Sequence, residues 1–382
     1  MLLAFARRWA LLFVALFAAT VPLNYRVLPS PGVALRPWLE ASGRALTGQP
    51  VALFSDSAGL YAWAGLLLLG TALVAGAWLA LGQRTAAGEV RLWYVLHTGA
   101  AGWLAWQLLI YGFDKVFKHQ FYLPEPNTLY TPLGLLTPDL AYWSVVGASR
   151  SYSVFAGLLE VLPGLLLLWG RTRLLGGLLA LAVLANVLAL NIGFDISVKL
   201  WSGFLLGLAG LVAAPGLGTL YAGLVREQWQ APARPPRPGG WQGRGVGALR
   251  GLLLGVLLLE TAGPFITEGN LNDDLAPRPF LHGAYAISSL RPGAAPLRVF
   301  VHRQGYFIIQ TADGQLQDYP LRYGPGCLLL GGPHGRPDTL RYTRSAAGLR
   351  LAGTLGADSV RWLARPLAWR KLPLLQKGHW AL

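Results

Sequence analysis

The sequence predicts a mostly α-helical polytopic membrane protein of about seven spans, followed by a separate, water-exposed β-rich domain. Three observations carry this. Of 382 residues, 54% are hydrophobic and only 13% charged, against about 25% charged in soluble domains. Apolar runs near the roughly 20 residues needed to cross a bilayer recur as far as residue 264. Beyond residue 280 the pattern changes to the short alternation of strands.

The first span is expected at Trp9–Leu23, behind Arg7 and Arg8, as a retained anchor rather than a cleaved signal peptide. Residues 24–55 read as a polar loop. Spans two and three are expected at Ala58–Leu81 and Leu92–Phe113. A long loop over 115–151 follows, in which Pro132–Val146 is apolar but too short to cross, as in a re-entrant or interfacial segment. Spans four to six are expected at Tyr152–Trp169, Leu174–Leu190 and Ile196–Leu217. A Pro-, Gly- and Arg-rich linker over 218–248 leads to a short seventh span at Leu249–Pro264.

Cations set the orientation. Arg7, Arg8, Arg84, Arg91, Arg171, Arg173 and the arginines of the 226–250 linker alternate onto one side, which the positive-inside rule makes cytoplasmic. The N-terminus is then inside and the C-terminal domain outside. The net charge of +15 is scattered and not interleaved with stacking aromatics, which argues against nucleic acid and for a lipid bilayer as partner.

In the C-terminal domain, Leu297–Val301 and Tyr306–Ile309 flank Arg303-Gln304-Gly305, a hairpin signal. Ala312-Asp313-Gly314 marks another turn, and Leu340–Tyr342 and Leu349–Leu351 alternate similarly. A small antiparallel sheet or sandwich is expected over 280–382.

Ionisable residues inside a membrane are costly and face the bundle interior or a cavity. They fall almost wholly on spans three to six. Gln107, Tyr111, Asp114 and Lys115 share one helix face. Glu160 lies about 12 Å into span four. Span five adds Asn186 and Asn191, and span six opens with Asp195 and Lys199, spaced to pair. Together they suggest one polar pocket that opens outward. The chain has 27 Arg but five Lys, and Lys115, Lys118 and Lys199 all fall near this mouth. Selection for a compact ammonium explains that, and so does snorkelling at helix ends. Asn186 and Asn191 read first as interhelical hydrogen-bond glue, and lone His97 reads as a satisfied core residue. Cys327 is the single cysteine, so no disulfide or thiolate metal site forms within the chain. No HExxH, CxxC, Walker or Rossmann motif occurs.

The stretch 111–215 resembles the DoxX family of small bacterial membrane proteins. The matching pieces are Tyr-Gly-Phe-Asp-Lys-Val-Phe-Lys (111–118), FAGLLEVLPGLLLLWGRTRLLGGLLA (155–180), Asn186 to Asn191, and DISVKLWS (195–202). The resemblance implies a four-helix bundle over 92–217 in a bacterial inner membrane. It places a family polar position on Lys115, a family glutamate on Glu160 and a basic turn on Arg171 and Arg173. It also implies a quinone or other amphipathic ligand in a membrane redox system, with Lys115 and Glu160 as candidate catalytic groups. Gln107, Tyr111, Asp114, Asn186, Asn191, Asp195 and Lys199 would then be candidate ligand-binding groups. The chain departs from the family in its two earlier spans, its later span and its outer domain. That layout resembles, more distantly, the HTTM family related to vitamin-K-dependent carboxylases, where Lys115 would be the analogue of a lysine serving hydroquinone chemistry. Two other functions fit the same residues: a scaffold that docks partner proteins on its outer domain, and a small-anion transporter.

Overall fold

The computed structural model describes the chain except residues 22–30, 50–51, 53–54, 83–84, 230–243, 291–294, 332–336, 357 and 377–382; residues 31–33 and 244–250 are described by their backbone alone. The helices are α1 (Leu2–Thr20), α2 (Pro31–Thr47), α3 (Ala58–Leu81), α4 (Ala86–Val116), α5 (Pro126–Leu129), α6 (Pro138–Ala148), α7 (Arg150–Leu167), α8 (Arg173–Gly193), α9 (Lys199–Arg226), α10 (Arg244–Thr261) and α11 (Gly263–Thr267). The strands are β1 (Gly283–Ser289), β2 (Arg298–His302), β3 (Tyr306–Gln310), β4 (Leu316–Gly324), β5 (Cys327–Leu330), β6 (Asp338–Ser345), β7 (Gly348–Leu355) and β8 (Asp358–Pro366). The chain forms two compact units. One comprises Met1–Phe117 and Val154–Leu271, the other Lys118–Ser153 and Asn272–Leu382.

In the helical unit, α1, α3, α7, α8 and α9 are each long and apolar enough to cross a membrane. These correspond to expected spans one, two, four, five and six. The third expected span forms α4, but it is not among the five. Its 31 residues include Glu89, Arg91, His97, Gln107, Asp114 and Lys115, and much of it faces protein rather than lipid: Leu104, Ala105 and Leu109 are fully buried. A helix surrounded by helices does not need an apolar outer face. The seventh expected span forms α10, whose described apolar run, Gly251–Thr261, is shorter than a bilayer requires. Part of the expected linker, 230–243, lies outside the described residues. The expected loop over 24–55 instead contains α2. Pro31 opens it at a position where a missing N–H costs nothing, Arg36 and Glu40 pair at 2.7 Å on its surface, and Leu39 is its buried anchor.

Aromatic packing closes the helical core. Phe17 of α1 lies 4.4 Å from Phe204 and stacks on Trp201, both of α9. Trp63 of α3 donates from Nε1 to Thr20 Oγ1 at 3.1 Å. Arg8 reaches Glu89 at 2.6 Å, pinning α1 to α4. His97 is satisfied as expected, with Nε2 3.0 Å from the Val212 carbonyl. The helices α4 and α7 approach closely. A Cβ on Gly157 would stand 2.6 Å from the Gly112 carbonyl oxygen and 2.9 Å from the Val116 nitrogen, and one on Gly112 would stand 2.6 Å from Val161 Cγ2. Small residues let helix backbones touch in this way where lipid supplies no hydrophobic drive between helices.

The second unit is a closed eight-stranded barrel rather than the expected sheet or sandwich. Every strand pairs antiparallel with the next, and β1 returns to β8 through Ile287↔Ala364. Closure leaves no edge strand. The expected hairpin is present, with His302 opposite Tyr306 and Gly305 at a positive φ in the turn. Val299, Val301, Phe307, Leu328, Leu340, Leu351 and Trp362 fill the interior. Apolar residues inside and arginines outside are the reverse of a membrane-spanning barrel.

The strands β2 and β3 are buried on both faces. Phe300 and Ile308 point outward and are covered by Leu123, Leu129, Tyr130 and Trp369. Residues 118–153 therefore belong to the barrel's unit, including the apolar stretch 132–146, which breaks into a 3-10 turn and α6. This explains why these two strands read as unbroken apolar runs.

Replacing Gly157 with Ala is expected to lower stability by about 1–3 kcal/mol, because the added methyl meets backbone that cannot retreat. Unfolding of the purified protein in detergent reads this directly, and a wild-type midpoint would contradict the crossing.

Candidate functional site

The α4–α7 crossing positions the first candidate pair. Lys115 lies three residues after Gly112 and Glu160 three after Gly157, so both side chains leave their helices one turn beyond the contact. The Lys115 Nζ donates to Glu160 Oε2 at 2.6 Å, and both residues are buried. The ammonium also lies 5.7 Å from the centroid of the Tyr111 ring. Asp114 is half-buried on the same helix. Gln107, two turns before Lys115, is buried with no hydrogen-bond partner for Nε2 among the described residues.

The other candidates lie elsewhere. Asn191 Nδ2 donates to Ser202 Oγ at 3.0 Å, joining α8 to α9 as interhelical glue. Asn186 is exposed on the surface of α8. Lys199 Nζ pairs with Asp195 at 2.7 Å, as the spacing predicts. Asp56, which the sequence did not flag, accepts from the Lys199 and Leu200 backbone nitrogens at 2.8 and 3.2 Å. Both its oxygens thus satisfy orphan donors at the start of α9, and its carboxylate stands 4.0 Å from the Lys199 ammonium.

Beside Lys199 opens a cleft of about 400 Å³, lined by Phe13, Phe17, Tyr61, Ala64, Leu68, Leu200, Gly203 and Phe204. It lies where α1 ends and where α3 and α9 begin. Of the nine candidate residues, only Lys199 lines it. The polar groups expected to share one pocket are thus dispersed: Lys115 and Glu160 form a closed ion pair, Asn191 joins α8 to α9, Asn186 is exposed, and Lys199 stands at the rim of an apolar cleft. Lys118 belongs to neither. It is fully buried in the barrel's unit, bonded to the Gly147 carbonyl and 3.5 Å from Asp274.

The barrel's unit also holds a buried charge network that sequence reasoning missed. Glu125 Oε2 lies 2.9 Å from His282 Nε2 and 3.9 Å from His302 Nε2, and its Oε1 lies 3.7 Å from Arg303. Arg303 pairs with Asp273 at 2.6 Å, Arg278 reaches the same carboxylate at 3.0 Å, and the Arg303 guanidinium lies 3.8 Å from the Tyr122 ring. Burial pushes the Glu125 carboxyl up, but the His282 hydrogen bond and the surrounding charges outweigh it and hold it below its ordinary range. Asp273 ends low as well, since Arg303 and Arg278 overcome its burial. Burial lowers His302, and burial raises Asp274 despite Lys118. Among the described residues, no three His, Cys, Asp or Glu side chains are arranged to hold a metal ion. The network knits 122–125, 273–282 and the β2–β3 turn together, with each charge answered by another.

No protein-family model matches the chain, and no solved structure matches it. Among curated proteins, it is 30% identical over 105 residues to the uncharacterized protein YwoB of Bacillus subtilis (strain 168). The match takes in 25% of this chain and 60% of that protein, so the chain spans under two thirds of its relative's length.

Two expectations follow. Removing one partner of a buried pair strands the other charge, so Lys115→Met and Glu160→Leu should each cost about 3–5 kcal/mol, while the double variant should recover much of that loss. Additive losses in detergent unfolding would argue against a direct pair. The second concerns acid. His302, Glu125 and Asp273 have depressed folded-state pKa values, so the unfolded chain binds more protons as pH falls. The His302 contribution should decay below its ordinary 6.5, and the carboxylate contributions below ordinary carboxylate values near 4; raised Asp274 opposes them. Barrel unfolding midpoints should therefore fall from pH 7 to pH 3, with a shallower arm below about pH 4 in Glu125→Gln. A flat profile would contradict this.

Proposed function

We propose that this integral membrane protein binds an amphipathic molecule with an uncharged, oxygen-bearing head, of the quinone class, in the cleft beside Lys199. The reading includes seven crossings, counting α4 and α10, with the N-terminus inside and the barrel outside. The cation distribution along the chain supports that orientation. The cleft supports the ligand. Its volume of about 400 Å³ is within the range of small-molecule sites. Phe13, Phe17, Leu68 and Phe204 make its walls apolar, and the Lys199 ammonium supplies hydrogen-bond donors beside Tyr61.

The observation that selects the head group is the charge around Lys199. Asp195 and Asp56 set two carboxylates against one ammonium. An anionic head would add a third negative charge at close range, whereas a carbonyl oxygen can accept from the ammonium without one. This weighs against small-anion transport. The Lys115–Glu160 pair holds α4 to α7 in this reading and does not touch the ligand.

A short-chain quinone titrated into the protein in detergent, read by quenching of tryptophan fluorescence, tests the proposal. Lys199→Met should weaken binding by about tenfold, the loss of one charge-assisted hydrogen bond, and Phe204→Ala should weaken it also. Unchanged affinity in both variants, or stronger binding of a fatty acid than of the quinone, would reject it.

A further inference from the structure

The outer face of β6, β7 and β8 presents four arginines. Register places Arg341 opposite Ala352, and Ala352 opposite Arg361, in one row across the three strands. Two strand spacings separate Arg341 and Arg361 by about 10 Å. Arg350 is two residues from Ala352 on β7, and Arg365 four residues from Arg361 on β8, so both point to the same side. All four are exposed. None makes an ion pair among the described residues, unlike Arg278 and Arg303 of the same unit. The outward residues between them are Thr343, Ala352 and Leu363, and none is acidic or aromatic.

We infer that this face docks on the phosphate-bearing surface of an anionic lipid bilayer. Guanidinium groups bind phosphate oxygens through paired donors, and four of them on one open face suit a sheet of headgroups. The bilayer is also the anionic surface nearest at hand. The barrel's unit is covalently joined at Phe117–Lys118, Ser153–Val154 and Leu271–Asn272 to a unit with helices long and apolar enough to cross a membrane. Single-stranded nucleic acid is disfavoured, because its sites interleave cations with stacking aromatics and this face has none.

The full chain carrying Ala352→Cys in a Cys327→Ser background, labelled with a fluorophore, provides the test. It is placed in nanodiscs of phosphatidylcholine, with or without one third phosphatidylglycerol, and quenched with neutral acrylamide. The label should be shielded only in the phosphatidylglycerol discs, and about 0.5 M salt should restore quenching. Arg341→Ala with Arg361→Ala should weaken docking by about fivefold for each arginine lost. A matching thermal midpoint excludes misfolding as the cause. Equal quenching in both lipids overturns the inference. So does shielding by a soluble polyanion such as heparin with none from phosphatidylglycerol.

Discussion

Contact between α4 and α7 at Gly112 and Gly157 leaves no room for a side chain at either position, and the buried charges of the helical unit depend on it. The Cβ positions there stand 2.6 Å from neighbouring atoms, so the two helices approach as closely as their main chains allow. A buried ammonium and a buried carboxylate are each expensive, and only good geometry offsets that expense. The glycine crossing supplies the geometry, since Lys115 and Glu160 lie one turn from it on facing surfaces. The pair in turn opposes sliding or rotation, because a shifted register would bury both charges unpaired. Close packing and charge pairing thus reinforce each other at one crossing.

The barrel solves a similar problem differently. Its inward positions make a dry interior, but β2 and β3 are apolar on their outer face too. Phe300 and Ile308 would be exposed if the chain between α4 and α7 did not cover them. Leu123, Leu129 and Tyr130 provide that cover, and the Glu125–His282–Arg303 network fastens it. Lys118 serves the same end from inside the unit, joined to Gly147 and Asp274. The loop between two helices is therefore part of the barrel's core.

What was legible in the sequence follows from the range of the interactions. Helices α1, α3, α7, α8 and α9, the β2–β3 hairpin and the Asp195–Lys199 pair depend on neighbours a few residues apart, and periodicity and spacing reveal them. The Lys115–Glu160 pair spans 45 residues. Its members stood out because charges in apolar runs are rare, although their contact did not. Glu125 and His282 are 157 residues apart, and Asp56 lies 143 residues before Lys199. Each of these residues alone resembles ordinary loop polarity. Closure into a barrel is likewise set by the β1–β8 pairing, which no local pattern encodes. The segment over 31–47 reads as a loop because it is polar, yet it is helical, with Pro31 at its start and Arg36 paired to Glu40 one turn on.

The distribution of polar groups decides which of them can meet a ligand. A lysine held in a closed, buried ion pair is not free to exchange partners, because opening the pair would leave two charges in an apolar interior. Lys199 is placed differently. It stands at a helix end, its exposed partner Asp195 can be hydrated, and Asp56 is committed to the backbone of α9. The ammonium can therefore turn from one oxygen to another at little cost, beside apolar walls of phenylalanine and leucine. Residues at the same nominal depth in a bundle thus divide into those that hold helices and those that can exchange partners. Access to a cavity separates them better than burial or charge alone.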